Sequence, residues 1–273
     1  MVCRSASVLL VLTLLAAAAR AQPAVERPLD RVLGAVVGAD GRVDYGLLAR
    51  SHRGDLDAAL DAVARTSPDA LRSDAQKTAF LVNAYNAHVL RLVLEHPRTR
   101  NLERDGLFRR FFETPVVVAG QRMTLNELEH GALRRQDRVD GEAVPRALRA
   151  LRPDRVDPRI HVGLNCAAVS CPPLGRRAFR ASTLDRDLGR AWRSFVASPR
   201  AVRLDGDRLV LSSIFDWFSA DFEAGDRRLG DVLAASLGSG RPEVRQRLAG
   251  RSADALRRDR GVRFAYDWTV NRK

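Results

Sequence analysis

The apolar positions of the chain fall into two regimes. Residues 8–15 are apolar apart from Thr13, a run too short for a bilayer, which needs ~20 apolar residues. Arg4 precedes the run and Ala19-Arg20-Ala21 follows it. That is the layout of a cleavable secretory signal over residues 1–21, with Gln22 opening the mature chain and a secreted or periplasmic location. Beyond it, no stretch is long and apolar enough to span a membrane. Residues 22–30, with Pro23 and Pro28, read as a short leader, and residues 29–37 and 56–64 carry helical spacing. The strongest helix covers residues 73–95, with Pro97 as a stop. Phe80, Asn83, Ala87, Leu90 and Leu94 share one of its faces, so Asn83 sits on an apolar stripe with Asn86 beside it. Buried amides need partners for their donors and acceptor.

The middle of the chain changes rhythm. Val116-Val117-Val118, Ala119-Gly120-Gln121 and Arg122-Met123 predict a hairpin. Thr124 and Glu127 have the spacing of a capping box, opening a helix that carries Leu125, Leu128, Glu129, His130 and Leu133. Residues 135–145 are charged and loop-like, and residues 147–151 form a short helix. Residues 159–165 alternate, which predicts a strand with Ile160, Val162 and Leu164 on one face and His161, Gly163 and Asn165 on the other. The chain then enters Cys166-Ala167-Ala168-Val169-Ser170-Cys171 and stops at Pro172-Pro173. A helix over residues 184–196, a hairpin over 200–212 turning at Asp205-Gly206, and an aromatic helix over 214–222 follow. Mixed helices and hairpins without a strand–helix repeat predict an α+β domain, its helices packed around a small antiparallel sheet.

Charge adds less than its size suggests. The formal net charge is +13, yet the only lysines are Lys77 and Lys273. The arginines are interleaved with acids, and aromatics make up 6% of the chain, too few for base-stacking platforms. Nucleic acid is therefore not an expected partner; an unidentified substrate or an anionic envelope component is. Nothing in the pattern addresses the oligomeric state.

The polar set Glu129, His130, His161, Cys166, Cys171, Asn83 and Asn86 carries the chemistry. In one reading, Cys166 is a thiol nucleophile at the end of a strand, with Asn165 able to cap the turn that follows. His130 or His161 is then its base, oriented by Glu129, Asn83 or Asn86. In a second, His161, Cys166 and Cys171, with His130 or Glu129, hold a structural metal, although zinc favours closer spacings. In the third, loss of Cys3 with the signal leaves two cysteines, and a Cys166–Cys171 disulfide braces a non-catalytic scaffold. No cofactor is implied by any motif.

Four stretches resemble the domain-of-unknown-function-547 family, which occurs in secreted bacterial proteins and in plant proteins. They are Ala79-Phe80-Leu81-Val82-Asn83-Ala84-Tyr85-Asn86-Ala87, where the family usually has Trp at the position of Leu81; Leu125-Asn126-Glu127-Leu128-Glu129-His130-Gly131 with Leu133-Arg134; Asp157-Pro158-Arg159-Ile160-His161 through Leu164-Asn165-Cys166, with Ser170-Cys171-Pro172-Pro173-Leu174; and Asp216-Trp217-Phe218 with Asp221-Phe222 and Tyr266-Asp267-Trp268. The resemblance implies a shared fold and polar cluster but no established reaction. Its plant members are intracellular and keep both cysteines, which implies a reactive or ligating role for them. With the signal (1–21) and the leader and helix (22–40) read from the residues themselves, it makes 41–200 the family's core and 201–273 a C-terminal extension packed on that core. A papain-like or transglutaminase-like relationship is an analogy of roles. The expected activity is a Cys/His-dependent hydrolase or acyl transferase acting on an envelope or extracellular substrate.

Overall fold

The computed structural model describes residues 24–273; the expected secretory signal lies outside them. Helix α1 (Glu26–Val36) buries Leu29, Val32, Leu33 and Val36, the i, i+3, i+4, i+7 stripe of an amphipathic helix. Each such side chain contributes roughly 1.5–3 kcal/mol. The stripe packs on α3 (Arg53–Arg65), reached through α2 (Tyr45–Ser51), whose N-cap Asp44 accepts a hydrogen bond from the Leu47 amide. Next comes α4 (Asp74–Glu95), opened by a Ser73–Gln76 capping box and closed at His96, before Pro97. From Thr78 to Leu90 every residue of α4 is buried, because α1, α2, α3, α7 (Ile160–Gly163) and α8 (Leu184–Ala197) all pack on it. It is the central helix, and its buried amides point into protein on every side.

After α5 (Phe108–Glu113), the hairpin β1 (Val116–Val118) and β2 (Gln121–Met123) forms in the expected register. Its turn, Ala119-Gly120, has φ of 50° and 73°. Both turn amides donate to carbonyls at the end of α3, Val63 and Ala64, which holds alanine in that left-handed conformation. The capping box of Thr124 and Glu127 is present in both directions. The segment it opens, however, is a π-helix, Glu127–Leu133. Residues 135–145 are more ordered than their charge suggests. They hold a two-residue hairpin, β3 (Arg138–Val139) and β4 (Glu142–Ala143), around Asp140-Gly141, then α6 (Arg146–Arg149).

The strand expected over residues 159–165 is instead the single helical turn α7. Asp157-Pro158 is a helix-start signal: the Asp157 side chain accepts from the Arg159 amide, and proline has no amide to leave unpaired. Ile160, His161 and Val162 are all buried. The apparent alternation therefore reported burial on all sides, and Cys166 does not end a strand; it follows one helical turn and the dipeptide Leu164-Asn165.

The C-terminal part adds β5 (Val202–Asp205) and β6 (Arg208–Ser212) as an antiparallel hairpin, then α9 (Ser213–Trp217), α10 (Ser219–Phe222), α11 (Leu229–Ser236), α12 (Pro242–Leu248) and α13 (Ala253–Arg258). These helices form the crossover that brings β7 (Val262–Ala265) in parallel beside β6. The architecture is α+β: a largely helical body with two antiparallel hairpins and one three-stranded sheet. The last residues run back across the molecule. Val169, Ser170 and Asn271 bond through their amides to the carbonyls of Thr269, Asp267 and Ala167, respectively, so the chain end straps down the loop that follows Cys166. No helix among the described residues is long and apolar enough to cross a membrane.

Candidate active site

The three asparagines act mainly on backbone. Asn83 on α4 donates to the Phe179 carbonyl at 2.8 Å and accepts from the Phe179 amide at 2.9 Å. One turn on, Asn86 donates to Gly163 O and accepts from the Asn165 amide, both at 2.9 Å. Asn165 in turn donates to Pro172 O at 2.9 Å and accepts from the Ala167 amide at 3.0 Å and the Asn271 amide group at 3.2 Å. Each stands in for secondary structure in a buried loop. Together they fix the α7 turn and both ends of the cysteine loop.

The π-helix supplies the ionisable groups. Its wider turn bonds the Arg134 amide to Glu129 O at 2.9 Å, five residues back, and presents Glu129, His130 and Arg134 on the same side. Arg134 donates to His130 Nδ1 at 2.8 Å, so His130 carries its proton on Nε2. Burial and then the Arg134 charge push His130 down to about 4. Arg134 also reaches Asp221 on α10, Nε to Oδ2 at 2.6 Å and Nη2 to Oδ1 at 3.3 Å.

Asp221 is the hub. Burial works against its charge, but the bonds from His161 and Arg134 prevail and hold it down to about 2. His161 Nε2 lies 2.8 Å from Asp221 Oδ2. Because the carboxylate only accepts, Nε2 carries the proton and Nδ1 keeps its lone pair. The His161 ring stacks on Phe218 at 3.8 Å between centroids. Burial lowers its pKa more strongly than Asp221 raises it, so the imidazole stays neutral at pH 7. Its Nδ1 is buried without a hydrogen-bond partner, 3.9 Å from Glu129 Oε1. Glu129 is pushed up to about 7, mainly by burial, with Arg134 and the Tyr85 hydroxyl pulling the other way.

Glu129, His130, Arg134, His161 and Phe218 line a pocket of about 370 Å³ that also contains Cys166 and Cys171. The two sulfurs are joined in a disulfide. Tyr266, placed by the C-terminal strap, sets its hydroxyl 2.9 Å from Cys166 Sγ and 3.0 Å from Cys171 Sγ. Aromatic rings form the mouth: Trp217 is 46% exposed and stacks on Trp268 at 5.6 Å, and Phe108 packs edge-on to Trp268 at 4.6 Å.

Thus Glu129, His130, His161, Cys166 and Cys171 come together in one pocket, whereas Asn83, Asn86 and Asn165 brace its walls. Among the described residues, no group of three or more His, Cys, Asp or Glu side chains is placed to hold a metal ion. The sequence pattern gives Tyr266 a packing role only and Arg134 and Asp221 none, although all three stand in the stretches that resemble the family. Arg134 was detectable as the i+4 neighbour of His130.

Residues 68–196 match the family model described as "Protein of unknown function, DUF547". Over that segment, a little under half of its length, the chain is similar to this family. The DUF547 match contains Glu129, His130, Arg134, His161 and both cysteines; Asp221, Trp217, Phe218 and Tyr266 lie beyond it. No curated protein and no solved structure matches the chain.

Proposed function

We propose that this pocket is the active site of a hydrolase or acyl transferase, secreted or periplasmic, that acts on an envelope or extracellular substrate. The observation that carries the proposal is His161 Nδ1. It is a buried, unpartnered lone pair, oriented by an ionised carboxylate on the opposite ring nitrogen, in a pocket shared with a cysteine. An unsatisfied buried acceptor carries a desolvation penalty unless a ligand or reacting group meets it. A neutral imidazole held in one tautomer by Asp221 has the form of a general base.

Cys166, once reduced, is the nucleophile: His161 takes its proton, and the thiolate attacks the carbonyl of the substrate. Glu129, half protonated near neutrality, supplies a proton to the leaving group. His130 Nε2–H is a fixed donor rather than a base, because Arg134 occupies Nδ1. The reading therefore assigns the base role to His161. The N-terminal signal pattern supports the location, and the aromatic mouth supports a substrate larger than the reacting group.

The test is turnover of a panel of fluorogenic esters and amides by the reduced mature protein. Cys166→Ala and His161→Ala should each abolish it. Full activity in Cys166→Ala on every substrate used by the wild type would sink the nucleophile assignment. A second reading, a non-catalytic binding module, is favoured by one observation: the disulfide, which leaves neither sulfur free. In that case no member of the panel turns over in either redox state.

A further inference from the structure

The Cys166–Cys171 disulfide is poorly placed to act as a staple. It closes a five-residue separation, where the constraint on the unfolded chain is small. The loop is already held without it. Asn165 bonds to Pro172 O, the Cys171 amide to Ala168 O at 3.1 Å, and Val169, Ser170 and Asn271 bond to or from the chain end. Breaking the S–S bond would leave these contacts intact.

The two sulfurs also differ. Cys171 is 2% exposed, while Cys166 is only partly buried. Cys171 Sγ accepts the Cys166 amide N–H at 2.9 Å and faces the Tyr266 hydroxyl at 3.0 Å, whereas Cys166 Sγ has the tyrosine contact alone. Burial raises the Tyr266 phenol well above its ordinary value, so it remains a proton-bearing donor. Negative charge on Cys171 would therefore meet two donors already in position, and Cys166 offers the accessible sulfur.

We propose that this disulfide is a thiol–disulfide exchange site for a low-molecular-weight thiol, attacked at Cys166 with Cys171 as the leaving group. The incoming thiolate forms a bond to Cys166 Sγ. The S–S bond breaks, its electron pair goes to Cys171 Sγ, and that thiolate is stabilised by Tyr266 and the Cys166 amide before taking up a proton. A second equivalent of thiol then attacks the small-molecule sulfur of the mixed disulfide, expelling Cys166 as thiolate. The net change is oxidation of two thiols to their disulfide and reduction of the protein's. Exchange does not depend on the hydrolytic reading; only its consequence does, the freeing of Cys166 as nucleophile.

The experiment mixes unreduced mature protein with excess reduced glutathione, quenches with acid at early times and maps the adducts by peptide mass. Glutathione should appear on Cys166 with a free thiol on Cys171. With oxidised glutathione, Cys171→Ser should form its mixed disulfide faster than Cys166→Ser. Tyr266→Phe should slow reduction roughly threefold, the response to a leaving thiol about one pKa unit higher. An adduct chiefly on Cys171, an unchanged rate in Tyr266→Phe, or two free thiols in the unreduced protein would each overturn the proposal. Absence of ester and amide turnover by the fully reduced protein would refute the hydrolytic reading and leave the exchange result standing.

Discussion

His161 Nε2 and Asp221 Oδ2 lie 2.8 Å apart, a contact between an imidazole on a one-turn helix and a carboxylate 60 residues further along. Asp221 is also the partner of Arg134, so one side chain sets the imidazole tautomer and neutralises the guanidinium. Asp221→Asn keeps the shape and removes the charge. Its amide can turn its N–H or its oxygen towards His161, but it cannot do both jobs. Turnover should fall on the order of 10²–10⁴-fold, as when a base loses its orienting carboxylate. Unpairing Arg134 should cost about 3 kcal/mol, read by denaturant unfolding. Activity within twofold of wild type would remove His161 from the base role.

The helices were legible because their stripes are one-sided: α1, α3 and α8 keep a clean polar face, and α4 has length and a proline stop. The segment over residues 159–165 was not, because in a helical turn buried on every side an alternation of residue types does not mark an exposed face. Glu129, His130, His161 and both cysteines were recognisable as residue types with costly burial. Their partners were not, because nothing local links His161 to Asp221 or Cys166 to Tyr266, 100 residues on. Trp217 stands at the pocket mouth and Tyr266 against the two sulfurs, placements that only the tertiary path of the chain end decides.

Glu129 predicts how stability depends on pH. Its folded pKa, about 7, lies above the unfolded value of 4.5. Between those values the folded protein retains a proton that the unfolded chain has released, so stability falls as pH rises from about 4.5 to about 7. The loss is on the order of 3 kcal/mol. Glu129→Gln should abolish this component, which unfolding curves at pH 5 and pH 8 will show. Equal pH dependence in the two proteins would count against a buried, protonated Glu129.

The same group shapes turnover. If Glu129 donates the proton to the leaving group, activity of the reduced protein should decline above about pH 7 as the carboxyl ionises. Glu129→Gln should lower the plateau and eliminate that limb. A limb that survives the substitution belongs to another group.

Arg134→Met probes the second histidine. Burial is the larger cause of the low His130 pKa, and the Arg134 charge is the next. Removing the charge should therefore raise His130 from about 4, but not to its ordinary 6.5. An NMR titration of the His130 imidazole reads the shift directly. No movement would mean that the 2.8 Å contact carries no electrostatic weight.

Asn165 separates scaffold from chemistry. It is 4% exposed and bonds to Pro172 O, the Ala167 amide and the Asn271 side chain. Asn165→Ala strands three buried polar groups at once, and about 2–4 kcal/mol of stability should be lost. Ala167 has a φ of 62°, which alanine adopts reluctantly, so the loop should relax when its amide loses that acceptor. Turnover should drop with the loop. Cys166→Ala, by contrast, keeps every one of these hydrogen bonds and should abolish turnover at a cost in stability below that of Asn165→Ala. Denaturant unfolding of the two variants side by side, both in the reduced state, is the measurement. If Cys166→Ala proves the more destabilised, the cysteine is there for packing rather than reaction.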